Sequence, residues 1–535
     1  MSDTQDARHS AYASTPRHSA GTTGSNQALR HATQSQPAQG KSAPSQPAQQ
    51  QSTQSQSVQS QSAQQQSAPS QPTQSHPADQ TSSGQPTIIR SQAAARHMRT
   101  RRKAQKITSN GTIAAGVMVI AALAAILVAN SPAYETVQGA LNMPIGMVLG
   151  PVTIDMSIAG FVNNFLMTIF FLLVGVELKY EVTVGQLKQP RQAILPIVAA
   201  IGGVVVPCLI YLALNRHSDS LHGWAVPMAT DIAFALGVMS LLGDRISPAT
   251  KVFFSTLAIA DDILAILVIA LAYGHSPDLL WLGAAAIATV VLVMLNRAGV
   301  YGLRLYTVVG IVLWACMYKS GIEPTLAGVI FAFTLPGRTD IQASAMGDWL
   351  STQAHKLDDQ YEAGSHILGQ HDFTERAYEV ERIMHHVTPP LQRIERYCST
   401  AVNFFILPLF AFVNAQVRLV DADFAMIVAD PVTRGVFFGA VMGKPIGIIS
   451  ATGIMVGLRV AKLPRGMGWD QLVGVGLMGG LGFTMSILIA GLAFHDPTEI
   501  LAAKLAILVG SLAAGVIGCV FLLLASSSDT ITADE

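Results

Sequence analysis

The chain has 535 residues, 50% of them hydrophobic and only 12% charged, with 33 basic and 33 acidic side chains for a formal charge of zero. Soluble domains carry ~25% charged residues, so most of this sequence is expected to lie in a membrane, and no basic excess recommends nucleic acid as a partner. Four cysteines, Cys208, Cys316, Cys398 and Cys519, offer no CxxC pair and no disulfide framework.

Residues 1–107 read as a separate region. From Gln34 to Ser83 the chain is mostly Gln, Ser, Pro and Ala, and Ser42-Ala-Pro-Ser-Gln-Pro returns at Ser67. So little apolar side chain cannot offset the entropy of ordering, which predicts a disordered tether. No short apolar core lies near Met1, so a secretory signal is not expected. The tail ends in Arg90, Arg96, Arg99, Arg101, Arg102, Lys103 and Lys106 with no acid among them.

From 108 to 527 the sequence predicts an all-α polytopic membrane domain. Apolar runs near the ~20 residues needed to span fall at 112–131, 157–177, 192–214, 223–243, 252–273, 278–295, 303–319, 322–336, 399–417, 433–457, 471–494 and 499–525. That makes about twelve helices, with 322–336 the shortest. The polar segment 337–396 is expected as a long loop, and 528–535 as a short acidic tail.

Basic residues set the orientation. With the N-terminus inside, the short inner loops hold Lys179, Lys188, Arg191, Arg245, Lys251, Arg297, Arg304, Arg459, Lys462 and Arg465, and the long loop adds Arg338, Lys356, Arg376, Arg382, Arg393 and Arg396. The outer loops hold Arg216, Lys319, Arg418, Arg434 and Lys504. An even number of spans brings both termini to the cytoplasm.

Within these spans, the fifth carries adjacent aspartates, Asp261 and Asp262, in an apolar run. A charge at the centre of a membrane helix costs between ~3 and ~17 kcal/mol. Two carboxylates without a neighbouring base need protons or small cations to neutralise them, which points to an ion-translocating site. The fourth span is interrupted at Met228-Ala-Thr-Asp-Ile and the eleventh at Gly479-Gly-Leu-Gly-Phe-Thr-Met-Ser. Lys444 lies in the tenth, in Gly443-Lys-Pro-Ile-Gly. Broken helices are tolerated at membrane depth only where they line a cavity or pack inside protein. Paired breaks in the two halves of a transporter mark a midplane site.

The same segments carry a family resemblance. Ala229-Thr-Asp-Ile-Ala-Phe-Ala, Ala258-Ile-Ala-Asp-Asp, Gly443-Lys-Pro and Gly480-Leu-Gly-Phe-Thr-Met-Ser-Ile resemble the NhaA family of sodium/proton antiporters. So do Phe170-Phe-Leu-Leu-Val-Gly-Val-Glu-Leu-Lys and Ile406-Leu-Pro-Leu-Phe-Ala-Phe-Val-Asn-Ala, and the likeness runs in order from about 110 to 525. NhaA is itself among the transporters from which the broken-helix rule was drawn.

The resemblance implies inverted repeats, with the two interrupted helices crossing at the midplane. It implies electrogenic, pH-regulated exchange of intracellular Na⁺ or Li⁺ for external H⁺ across a bacterial inner membrane. The chain would then be a secondary transporter and not an enzyme, needing no cofactor, set in the lipid bilayer, and a homodimer is the oligomer it allows. Asp261 and Asp262 would carry Na⁺ or protons, and Lys444 would partner Asp261. Thr230, Asp231 and Thr484 would lie at the helix crossing, and Glu177, Glu181 and Glu395 would form an acidic cluster for pH response. Successive helical residues point ~100° apart, so one aspartate can face a cavity while the other turns to Lys444, and the three should titrate as one coupled set.

Plainer readings accompany these. Asp231 could cap a half-helix, Lys444 could snorkel to a span end, Thr484 and Ser486 could bond back to their own helix, and Glu177 and Glu181 could simply mark an interface. The chain also departs from the family, with Asn164 where many members have aspartate and Glu323 in place of a histidine. An intramembrane aspartyl protease is excluded because Asp244 follows Leu241-Leu-Gly and not a Gly-x-Gly. The remaining rival is a sodium-coupled organic-solute symporter of the same broken-helix architecture.

Overall fold

The structure, a computed structural model, describes residues 111–529 except 150–151, 275–276, 340, 342 and 421–423. The tail read at 1–107 lies outside the described residues, as does all but the start of the acidic segment 528–535.

The described chain is dominated by helices. Helix α1 (Gly111–Ala129) is followed by a short α2 (Tyr134–Leu141) and a β-hairpin, β1 (Pro144–Leu149) and β2 (Val152–Ser157). Next come α3 (Ile158–Thr183) and α4 (Pro190–Asn215). A 3-10 segment, Ser220–Met228, then leads into α5 (Ile232–Leu241). Helices α6 (Pro248–Ala272), α7 (Leu279–Arg297), α8 (Leu303–Ser320) and the nine-residue α9 (Leu326–Thr334) follow. After α10 (Met346–Gln360) and α11 (His371–Val387) come α12 (Pro390–Asn414), α13 (Pro431–Gly457), α14 (Trp469–Gly479), α15 (Phe483–Ala493) and α16 (Pro497–Asp529).

Eight of these helices are long and apolar enough to cross a membrane, and the count reaches ten if each of two bent pairs is one span. The bent pairs are Ser220–Met228 with α5, at 41°, and α14 with α15, at 42°. The chain is thus a multi-pass, predominantly helical membrane protein. Two expected spans fall short of that test. One of them, α9, at 1.5 Å per residue, is ~14 Å long, about half of a bilayer's apolar thickness.

Two features add to the expected helical scheme. A hairpin pairs Pro144 with Ser157 through Leu149 with Val152 in antiparallel register. Its Ile154 and Met156 are buried in a cluster with Tyr306 and Trp314 of α8. The polar segment 337–396 is itself partly helical. It contains α10, α11 and the first turns of α12, which begins at Pro390 and not near 399.

Close helix packing positions the site. Gly202 of α4 faces Gly447 of α13, and a β-carbon at either would collide with the other's carbonyl oxygen. Bare glycines therefore let the two backbones touch, a common device where lipid supplies no hydrophobic drive between helices. Lys179, near the end of α3, donates to Phe333 O at 2.6 Å and Leu335 O at 2.5 Å. It thereby satisfies carbonyls that the short α9 leaves free at its C-terminus.

Candidate functional site: an acidic cavity at two broken helices

Helix α6 starts with Ser247 accepting from Thr250 N at 3.1 Å and with Pro248 in its first turn. Both are favoured at helix starts, the serine as cap and the proline because its missing N–H would have no partner there. The uninterrupted helix then carries Asp261 and Asp262 inside the protein, at 2% and 5% exposure. The turn between neighbours separates them. Asp261 Oδ2 meets Lys444 Nζ at 2.5 Å, and Lys444 is fully buried. Asp262 instead lines a cavity of about 370 Å³.

That cavity is strongly acidic. Glu177, Glu181, Asp231, Asp262 and Glu395 all line it, and among the described residues no basic side chain does. Buried Oδ1 of Asp262 has no hydrogen-bond partner among the described residues. Asn403, Thr230, Ser255 and Thr484 supply further oxygens to the walls. Hard cations bind oxygen ligands, and a buried acceptor left unmatched is costly. The arrangement can therefore bind a small cation or a proton at Asp262.

Lys444 owes its placement to a change of helical pitch. Residues Gly439–Gly443 form a π-helical turn, and Lys444 and Pro445 open the α-helical part that follows. Two further π turns, Val162–Leu166 in α3 and Val402–Ile406 in α12, contain Asn163 and Asn403. Such turns rotate the following side chains and are frequent at functional sites. On α4, Gly203 faces Ile448 of α13, whose Cγ1 would lie only 3.0 Å from a β-carbon there.

The two breaks touch one another. Thr230 Oγ1 donates to Gly479 O at 2.9 Å, and Asp231 N donates to Leu481 O at 2.6 Å. Asp231 then uses both carboxylate oxygens. Oδ1 accepts from Phe234 N at 3.1 Å, and Oδ2 accepts from Thr484 Oγ1 at 2.6 Å and Thr484 N at 3.3 Å. One carboxylate thus serves the N-termini of α5 and α15 together, where unpaired N–H groups and the helix dipoles favour negative charge. Gly482 permits the approach, since a β-carbon there would sit 2.5 Å from Ala229 O.

Glu177, Glu181 and Glu395 are brought to the same cavity as Asp262, from α3 and α12. Glu181 also accepts from Gln186 N at 2.8 Å, closing the turn after α3. The sequence reading missed a reciprocal carboxamide pair. Asn414 Nδ2 donates to Asn163 Oδ1 at 2.7 Å, and Asn163 Nδ2 to Asn414 Oδ1 at 3.3 Å, tying α3 to α12. Two asparagines inside apolar spans were the available signal. Of the departures noted, Asn164 bonds back to Gly160 O at 2.9 Å, and Glu323 accepts from Thr325 Oγ1 at 3.1 Å.

Comparison with known proteins identifies the family. A family model described as Na⁺/H⁺ antiporter 1 matches residues 105–522. The chain is 40% identical over 421 residues to the Na⁺/H⁺ antiporter NhaA 1 of Saccharophagus degradans, covering 78% of this chain and 90% of that protein. It is 41% identical over 403 residues to NhaA of Oleidesulfovibrio alaskensis, covering 75% and 89%, and 40% identical over 406 residues to NhaA of Helicobacter pylori strain J99, covering 75% and 90%. The chain belongs to the NhaA family of Na⁺/H⁺ antiporters.

Proposed function

We propose that this chain is a secondary transporter that exchanges Na⁺ for H⁺ through the cavity ending at Asp262. The observation that carries the reading is a buried carboxylate with an unmatched oxygen, on the wall of a cavity lined by five carboxylates and, among the described residues, no base. Na⁺ and H⁺ compete there for the same oxygens. Two desolvated carboxylates cannot both stay ionised without cations, so Asp261 and Asp262 carry Na⁺ or protons by turns while Lys444 offsets the charge of Asp261. Competition combined with alternating access gives exchange without covalent chemistry, so the protein acts as a transporter and not as an enzyme.

About twelve helices in inverted repeats place the Thr230–Asp231 and Thr484 breaks across each other at the midplane. Basic residues hold both termini in the cytoplasm of a bacterial cell, in its inner membrane. The cycle expels intracellular Na⁺ or Li⁺ against entering H⁺, moves net charge, and serves sodium and pH homeostasis. Glu177, Glu181 and Glu395 tune it to pH, and the chain works as a homodimer.

The test is a Na⁺ jump on proteoliposomes with no organic solute present. A Na⁺-dependent change of internal pH is expected. A pH change that appears only once an organic solute is added would replace the antiporter by a symporter.

A further inference from the structure

A second cavity, of about 480 Å³, lies at the starts of α4 and α6 and beside the connection after α13. Arg191 and Lys462 line it, and among the described residues no acidic side chain does and neither basic head has an ion-pair partner. Its remaining wall is largely apolar. Leu195, Pro196 and Phe253 are buried, and Val252 is 47% exposed. Two unneutralised cations are thus set above an apolar wall, at the ends of helices that span the membrane.

We propose that this cavity binds an anionic phospholipid, its phosphate held between Arg191 and Lys462 and an acyl chain lying along Leu195, Val252 and Phe253. Charge complementarity selects an anionic headgroup. Depth selects a lipid over a free anion, because from Pro248 the wall descends α6 for a turn or two, ~10 Å at 1.5 Å per residue, into the apolar layer. Val252, half exposed, faces where a chain would leave the cavity for the bilayer. The volume accommodates the headgroup and the first methylenes. The inner leaflet is the one implied, which rests on the orientation proposed above, whereas binding itself does not.

The site also bears on the ion pathway. Helix α6 carries Asp261 and Asp262, α4 packs against the helix that carries Lys444, and Lys462 follows directly after that helix. A lipid seated here ties the ends of all three elements together and should stabilise them as a unit.

Thermal unfolding of the purified full chain in neutral detergent tests this, with dioctanoyl phosphatidylglycerol, dioctanoyl phosphatidylcholine and inorganic phosphate as separate additives. Phosphatidylglycerol alone of the three should raise the melting temperature. The Arg191→Gln/Lys462→Gln variant should need a higher concentration for the same shift, about five-fold per charge removed, as for basic groups near an anionic surface. The charge-conserving Arg191→Lys/Lys462→Arg variant should respond like wild type. If the double glutamine variant does not fold, the two single variants carry the same comparison. Equal response of the glutamine variants and wild type would overturn the proposal. So would an equal shift from phosphatidylcholine, which means nonspecific solvation, or from phosphate alone, which means a free-anion site.

Discussion

Lys444 Nζ lies 2.5 Å from Asp261 Oδ2, while Asp262, the next residue along the same helix, faces an acidic cavity with an oxygen that finds no hydrogen-bond partner among the described residues. Two chemically identical neighbours are thereby given different surroundings. One carboxylate meets a buried ammonium, and the other meets a cavity.

Removing one member of a buried ion pair typically costs ~3–5 kcal/mol because the other is stranded. Lys444→Ala should fall in that range. Asp261→Asn should cost less, since its amide oxygen can still accept from Lys444 and no void is opened. The double variant should be more stable than the sum of the two changes predicts. Thermal unfolding in detergent measures all three, and an unchanged melting temperature for Lys444→Ala would count against a structural ion pair.

Thr484→Val keeps the shape of the side chain and deletes the 2.6 Å bond to Asp231. A buried carboxylate that loses one donor should destabilise the protein by ~1–3 kcal/mol. Thr484→Ser retains the hydroxyl and should remain close to wild type in unfolding experiments. Equal losses for valine and serine would mean that the methyl group, and not the hydrogen bond, matters.

At Gly202 a methyl group would overlap Gly447 O, whereas at Gly453, further along α13, it would meet nothing within 4 Å. Gly202→Ala should therefore cost ~1–3 kcal/mol through overpacking. Gly453→Ala should be neutral or gain ~0.5–1 kcal/mol from better helix propensity. Matching melting temperatures for the two variants would contradict the close contact of α4 and α13.

Much of this arrangement could be read from the sequence, for definite reasons. Asp261 and Asp262 stand out because a bilayer makes charge expensive, so polarity within an apolar run is a strong signal. The breaks at Thr230–Asp231 and Gly479–Gly482 stand out for the same reason, through glycine and polar residues. What escaped depended on tertiary contact or small local geometry. The hairpin at 144–157 is short and sits between two spans, where alternation over six residues is easily read as a loop. The π turns before Met167, Leu407 and Lys444 leave no compositional trace, since they shift pitch without changing residue type. The Asn163–Asn414 pair joins positions 251 residues apart, which no local pattern can report. The helices α10 and α11 were hidden by their polarity, because a charged segment between spans looks like a loop whether or not it is helical.

If two carboxylates bind protons yet together hold one Na⁺, each cycle moves net charge. Moving one charge through 100 mV is worth ~2.3 kcal/mol, so a potential negative inside should speed Na⁺ exit. Collapsing the potential in proteoliposomes at a fixed pH gradient should slow Na⁺ efflux. Efflux indifferent to the potential would require an electroneutral scheme.

The most direct test of the central claim compares wild type with Asp262→Asn in the same Na⁺-driven proton-flux assay. Removing a charge that is costly inside a membrane should leave the variant folded, with a melting temperature at or above that of wild type, and should abolish Na⁺-dependent proton movement. A folded Asp262→Asn protein that exchanges Na⁺ for H⁺ at the wild-type rate would contradict the account, because the ion would then have to cross without the Asp262 carboxylate.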